Sequence, residues 1–414
     1  MEESRGKDRG SSEKLARRRC CPNNGKLGVM AKDPQKSTRR ELLAAVAPAS
    51  TPTPAPAGSP VAGPAGSPST PAVRTLQRPP AGGSTLRLST RAMACDFTVI
   101  LNPSENPPVT AAGEALERIH TAESWMSIYR EHSEISTVNR LAGEQAVPVS
   151  AQLKDLLQLA ARLHELTNGG FDLASGCLTQ LWRAARRAGR LPEPHEVDAA
   201  RAACGFRHVQ LDRSSGTVRF DHPEVRLDPG AIGKGVAIDD AGLWLASRDQ
   251  APPDFLIHGG HSSILARGAH NGHPGFPVGL GNPLFTRQRM ATLLLHNQAM
   301  GTSGSNIQFF RHQGRRYGHI LDPATGWPAE GVLSVTVLAP SAAVADALST
   351  AFFAVGVEKA VDCCRRMPEI AMILTPLPDR GTLLRPLVIG IRPNQIFWDE
   401  EQTEPIFLSP HLPE

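Results

Sequence analysis

The sequence has little aromatic surface, no C-x-x-C cysteine motif and no long apolar run, and each shortage removes a class of function. Two tyrosines and five tryptophans among 414 residues are too few for the stacking platforms that hold single-stranded nucleic acids. Charge of one sign is scarce as well, since 44 basic and 40 acidic residues leave a formal net charge of +4. The excess sits at the N-terminus, where residues 1–40 carry 12 Lys/Arg against 5 Asp/Glu, and the rest of the chain is close to neutral. A nucleic-acid partner, which calls for a basic face with aromatics, is not expected. The seven cysteines (Cys20, Cys21, Cys95, Cys177, Cys204, Cys363 and Cys364) form no C-x-x-C and are odd in number. They read as buried or free thiols and not as a disulfide framework. No stretch reaches the ~18 apolar residues of a membrane-spanning helix.

Proline and glycine are plentiful, and their placement divides the chain. Residues 48–82 are mostly Pro, Ala, Gly, Ser and Thr with almost no charge. Such a segment cannot bury enough surface to offset its ordering entropy, so a linker is expected there. Upstream, Ser37-Thr38-Arg39-Arg40-Glu41-Leu42-Leu43 is similar to a twin-arginine export signal. Its apolar run ends at Pro48, short of the ~7–15 residues of a signal h-region, so cytoplasmic and exported readings both stay open. The expected division is a basic, then Pro/Ala-rich disordered tail over 1–82, an ordered domain over 83–395, and an extension over 396–414.

Within the ordered part, Leu86–Leu88 and Phe97–Leu101 have strand character, and 108–126 has apolar residues at helical spacing. The clearest helix is 150–166, where Leu153, Leu156, Leu157, Ala160, Leu163 and Leu166 make one stripe behind a Ser150 cap. Short strands follow at 209–211, 217–220, 255–258, 264–267 and 290–296, with a helix over 232–246. Then come strand 333–338, helices 341–354 and 357–366, and strands 371–375 and 383–391. Many strands succeed one another without a helix between them, which predicts an α+β fold with a largely antiparallel sheet and packed helices.

Candidate chemistry concentrates between Gly301 and Thr350. Gly301-Thr302-Ser303-Gly304 reads as flexible small-residue backbone, and His319-Ile320-Leu321-Asp322-Pro323 as a strand end entering a turn. On the helix after Pro340, Asp346 and Thr350 are four residues apart and share a face. Both are hard oxygen donors of the kind Mg²⁺ takes. Upstream, Asp228-Pro229-Gly230-Ala231-Ile232-Gly233-Lys234-Gly235 offers backbone N–H groups and an ammonium to a phosphate at a strand-to-helix junction. It is not a Walker A loop, since two residues and not four separate Gly230 from Gly233, and Gly235 replaces the Ser/Thr. His258-Gly259-Gly260-His261 lacks a third ligand at motif spacing, so zinc is set aside.

In this order the pieces resemble the ApbE family of flavin transferases over about 91–391. Met126-Ser127-Ile128-Tyr129-Arg130 with Ser133-Glu134-Ile135-Ser136 is similar to the family's M-S-x-Y…S-E-I-S segment. Gly169-Gly170-Phe171-Asp172 through Leu181-Trp182 is similar to its G-x-F-D…L-W segment, and Asp228 to Gly235 to its D-L-G-x-I-x-K-G segment. The runs at Gly301–Gly304, His319–Pro323 and Asp346–Thr350 complete the set. Two places depart: Met93-Ala94-Cys95 stands where Met-Gly-Thr is common, and Gly259-Gly260-His261 where Gly-Gly-Asp or Gly-Gly-Glu is common.

The resemblance implies a two-lobed, T-fold-like domain that binds FAD as substrate together with Mg²⁺. It implies that Asp346, Thr350 and the carbonyl of Ala231 hold the metal. Met93, Tyr129, Gly170, Phe171, Asp172, Asp228, Lys234 and Ile320 would contact FAD, and His319 would be the catalytic residue. The implied reaction moves FMN from FAD to a Thr or Ser of an acceptor protein and releases AMP. An FAD pyrophosphatase and a non-catalytic FAD-binding protein are the alternatives. Membrane association would come only through the acceptor or an N-terminal signal.

Overall fold

The computed structural model describes residues 83–305, 309–399 and 403–410. The twin-arginine-like segment, the Pro/Ala-rich stretch, Cys20 and Cys21 lie outside the described residues. The β-rich segments assemble into a nine-stranded sheet. Its order is Leu86–Ala92, Cys95–Leu101, Phe255–Gly259, Ser263–Arg267, Gln298–Gly304, Val332–Ala339, Ala371–Pro376, Leu387–Ile389 and Ile406–Phe407. Neighbours pair antiparallel throughout except the last two, which run parallel. This is the α+β, largely antiparallel arrangement that the strand succession predicts.

Side-chain alternation gives the sheet two apolar faces. Met372 and Leu374 join the cluster under the helices, while Ala371 and Ile373 join the cluster on the opposite side. Helices Val109–Met126, Gly233–Ala246 and Ala342–Val355 cover the first face. A three-stranded sheet of Phe276–Gly281, Arg289–Leu295 and Ile396–Trp398 covers the second. Residues 396–398 pair with Arg289–Leu295, and Ile406–Phe407 pairs with Leu387–Ile389. The segment expected as an extension beyond 395 therefore completes both sheets, because each sheet has an edge whose N–H and C=O groups it satisfies.

The expected helix starts hold. Ser150 Oγ accepts from the Leu153 N–H at 3.2 Å, and Ser341 Oγ from the Val344 N–H at 3.3 Å. A second clamp is not legible in the sequence. The Asp239 carboxylate, on helix Gly233–Ala246, accepts from Ser341 Oγ and from the N–H groups of Ala342 and Ala343 at 2.7, 2.7 and 2.9 Å. It caps the neighbouring helix from outside, and burial pushes its pKa above the usual carboxylate value.

Two expectations change. Gly301–Gly304 is not flexible backbone but part of a central strand, paired on both sides. Helices Glu134–Leu141, Gly176–Arg187 and Pro194–Ala202 also appear where periodicity forecasts none: the first and last are shorter than three turns, and the middle one buries only Gly176, Leu178, Trp182 and Ala185.

Candidate active site

Asp346 lies in the second turn of helix Ala342–Val355, buried at 4 % exposure. Its placement depends on two glycines. A Cβ on Gly235 would collide with the Ala342 carbonyl, and one on Gly301 with the Ala345 carbonyl. Their absence lets a neighbouring helix and the central strand close on the same two turns. The Asp346 carboxylate then receives three donors: Ser263 Oγ at 2.7 Å, the Gly235 N–H at 3.2 Å and Lys234 Nζ at 3.3 Å. In an uninterrupted helix the Gly235 N–H would be directed to the carbonyl of Ala231.

One turn further on, Thr350 Oγ1 donates to the Asp346 carbonyl at 3.3 Å and lies 3.1 Å from Ser303 Oγ. Ser303 Oγ also lies 3.0 Å from Ser349 Oγ. The i, i+4 pair therefore shares a face, as its spacing predicts, in an oxygen-rich pocket with one carboxylate and one ammonium. Such donors suit a small hard cation beside an anionic ligand. Ser263 and Ser349 carry no motif of their own in the sequence, and Ser303 comes closest to a G-x-S-x-G elbow but has Ser305 in place of the second glycine. Ser303 and Ser349 fall inside the runs quoted above, but nothing local marks Ser263.

The upstream loop forms a second group of contacts. Asp228 caps the turn Pro229–Ala231, accepting from the Gly230 N–H at 2.9 Å. Its other oxygen pairs with Arg183 at 3.3 Å, and the Arg183 guanidinium lies 5.5 Å from the centroid of the Tyr129 ring. Tyr129 is 79 % exposed, its ring open to a flat partner. Arg183, which sequence reading missed although it follows Leu181-Trp182, joins two of the expected FAD contacts.

The remaining expected residues are dispersed around these groups. Gly170 packs against Val355 and the Ala351 carbonyl on the Asp346 helix. Phe171 is a core side chain at 2 % exposure. Asp172 is buried too, accepting from the Ala174 N–H at 2.9 Å, and burial raises its pKa. What this segment can offer a ligand is backbone, not side chains. Met93 occupies the two-residue turn between the first two strands, its N–H donated to Glu123 at 2.7 Å.

His319 directly follows strand Arg315–Gly318 and is exposed, while Ile320 is buried at 7 %. The turn after them is closed by the Asp322 N–H to the Trp327 carbonyl at 2.8 Å. Trp182 Nε1 holds the Gly326 carbonyl at 2.8 Å. Helix Gly176–Arg187 thus grips the His319 turn through Trp182 and the Asp228 loop through Arg183. A cleft of about 530 Å³ opens between Tyr317, Asp322, Trp327 and Gly356, at the end of the Asp346 helix. A smaller cavity of about 300 Å³, lined by Pro274, His296 and Arg392, shares none of these residues.

The two departures noted in the sequence meet in space. Gly260 lies against Cys95, and the charges of Lys234 and Asp346 both act on the Cys95 thiol, whose pKa burial raises. His258 and His261 stack with ring centroids 5.8 Å apart. Burial, reinforced by His261, pushes the His258 pKa down to about 4. Among the described residues no three His, Cys, Asp or Glu side chains gather as a metal cluster.

Fold and site together define an α+β protein with one buried, lysine-paired carboxylate among hydroxyls where two helices meet a central strand. The chain belongs to the ApbE family, whose model matches residues 93–374. It is 32 % identical over 289 residues to the FAD:protein FMN transferase of Treponema pallidum (strain Nichols), covering 65 % of this chain and 79 % of that one. It is 30 % identical over 265 residues to the FAD:protein FMN transferase of Klebsiella pneumoniae (strain 342), covering 63 % and 81 %. Among solved structures, the flavin transferase ApbE from Vibrio cholerae matches with a TM-score of 0.65 at 27 % identity, covering 74 % of this chain and 97 % of that one. The ApbE protein of Thermotoga maritima matches with a TM-score of 0.65 at 28 % identity, covering 71 % and 94 %.

Proposed function

We propose that this protein is a Mg²⁺-dependent flavin transferase that moves FMN from FAD to a Thr or Ser hydroxyl of an acceptor protein and releases AMP. The observation that carries the reading is the surroundings of Asp346: a buried carboxylate held by Ser263, Gly235 and Lys234, one turn from Thr350 and Ser303. Its relatives in the family bear the name FAD:protein FMN transferase.

The donor set fits the proposed metal. The residues gathered here, Asp346 with Ser263, Ser303 and Thr350, offer a cation one carboxylate and several hydroxyls. Mg²⁺ is held by one or two carboxylates with water and substrate phosphate, whereas zinc calls for several nitrogen or sulfur ligands. Asp346, Thr350 and the Ala231 carbonyl would hold it. Bound there, it would neutralise charge on the pyrophosphate oxygens.

The chain's own residues supply the rest. Lys234, whose partly exposed ammonium pairs with Asp346, would offset the charge that remains on the phosphates. Tyr129 stacks on a flat ring of FAD, and Met93, Asp228, Ile320 and the backbone of Gly170, Phe171 and Asp172 complete the binding surface. His319 takes the proton of the acceptor hydroxyl as that oxygen attacks the FMN phosphorus. A new O–P bond forms, the pyrophosphate P–O bond breaks, and AMP leaves with the bridging oxygen. The catalytic domain is residues 83–395 with the strands at 396–398 and 406–407.

Incubation with FAD, Mg²⁺ and a Thr-bearing acceptor domain tests the reading. An acceptor heavier by one FMN, with AMP released, is the expected result. FMN and AMP without acceptor labelling would instead assign an FAD pyrophosphatase, and bound but intact FAD a binding protein. His319→Ala should slow transfer more than it weakens FAD binding, and equal losses would reduce His319 to a binding role.

A further inference from the structure

We propose that Cys177 and Cys204 are a redox pair that closes to an intramolecular disulfide, covalently pinning the helix that grips both halves of the site.

Cys177 is the second residue of helix Gly176–Arg187, and Cys204 lies two residues beyond helix Pro194–Ala202. Their sulfurs are 2.8 Å apart. That is closer than non-bonded sulfurs ordinarily rest, and within about 0.8 Å of a disulfide bond length. Cys177 Sγ also lies 3.1 Å from the Ala200 carbonyl, as Cys363 and Cys364 lie against those of Leu166 and Ile370, but its approach to Cys204 is a sulfur–sulfur contact.

The pair is asymmetric in a useful way. Cys177 is partly exposed and Cys204 is buried at 3 %. The hydrogen bond they share lowers the Cys177 pKa, and the same bond with burial raises that of Cys204. Cys177, the more accessible of the two and the more readily ionised, is thus the sulfur that meets an external oxidant, and Cys204 the thiol that resolves the product.

With a small-molecule disulfide as oxidant, the Cys177 thiolate attacks one of its sulfurs. A mixed disulfide forms and one thiolate leaves. Cys204 then gives up its proton and attacks Cys177 Sγ, and the second thiolate departs and takes that proton. Two protein thiols are oxidised and one external disulfide is reduced.

The consequence follows from what the helix holds. Trp182 binds the Gly326 carbonyl beside the His319 turn, and Arg183 pairs with Asp228. A covalent tie at Cys177 restrains the start of that helix and so both grips.

The test uses the full chain treated with oxidised glutathione, blocked with iodoacetamide and digested with trypsin without reduction. Cys177 falls in the tryptic peptide 163–183 and Cys204 in 202–207, each the lone cysteine of its peptide. The expected product is these two peptides linked, lighter than their sum by two hydrogens, with a higher Tm for the oxidised protein. Cys204→Ser should trap glutathione on Cys177. Recovery of both cysteines alkylated, under conditions that oxidise a control dithiol, would overturn the proposal, as would glutathione persisting on Cys177 of the wild-type protein. The wild-type result decides the matter even where the variant fails to fold.

Discussion

At the scale of single residues, the site depends on Asp346. Its carboxylate collects a hydroxyl, an amide and an ammonium, so removal leaves all three donors without their acceptor. Asp346→Ala is expected to abolish Mg²⁺-dependent turnover of FAD, and full activity at limiting Mg²⁺ would remove this helix from the metal site. Ala94 illustrates a different residue-level effect. It sits in the turn after Met93 with φ of 60°, the left-handed region that costs a Cβ-bearing residue about 1–2 kcal/mol. Ala94→Gly should therefore stabilise the fold by about 1 kcal/mol in urea titrations, with no change in denaturant slope. The helix spacing of Asp346 and Thr350 was readable from sequence. Their serine partners were not, because Ser263 and Ser303 arrive from strands far away in the chain.

At the scale of elements, the decisive feature is how closely three of them meet. Gly301 and Gly235 are bare where the Asp346 helix presses on strand and helix. Gly301→Ala is expected to cost about 3 kcal/mol or more, since the obstacle is backbone and cannot rotate away. Gly113, inside helix Val109–Met126, has open space around its missing Cβ. There Gly113→Ala should stabilise by about 0.5–1 kcal/mol. Chemical denaturation of the two variants checks the contrast, and equal effects would mean that close approach is not what Gly301 provides. From sequence Gly301–Gly304 reads as flexible because small residues carry no strand signal of their own. The strand is instead held from both sides by its neighbours. The same limit hid helix Gly176–Arg187, whose role is to connect two loops and not to present a long apolar stripe.

At the scale of the whole molecule, buried titratable groups tie stability to pH. His258 has its pKa pushed down to about 4, chiefly by burial, from an ordinary value near 6.5. Between those values the unfolded chain takes up a proton that the folded chain refuses, so stability falls as pH drops through this window. The contribution is fully present above pH 6.5 and amounts to at most about 3 kcal/mol. Tm measured from pH 7 to pH 4 should fall more steeply for the wild type than for His258→Gln. Parallel profiles would place the protonation elsewhere. His258 and His261 stack on each other and Gly260 between them lies against Cys95, so the two departures from the family pattern form one neighbourhood next to the site. Sequence separation of more than 150 residues concealed that.

By itself the sequence determined the fold class, the principal helices and their serine caps, and the runs that mark the family. These are local properties, set by periodicity, capping and residue type within a few turns of chain. Only the tertiary structure decided how the runs combine. The sheet carries Ser263 to Asp346 and Ser303 to Ser349 and Thr350, missing side chains at Gly235 and Gly301 let the elements close, and Asp239 caps a helix about one hundred residues away. Contacts of that kind arise from packing across sequence distance, where no local pattern records which residue will be the partner.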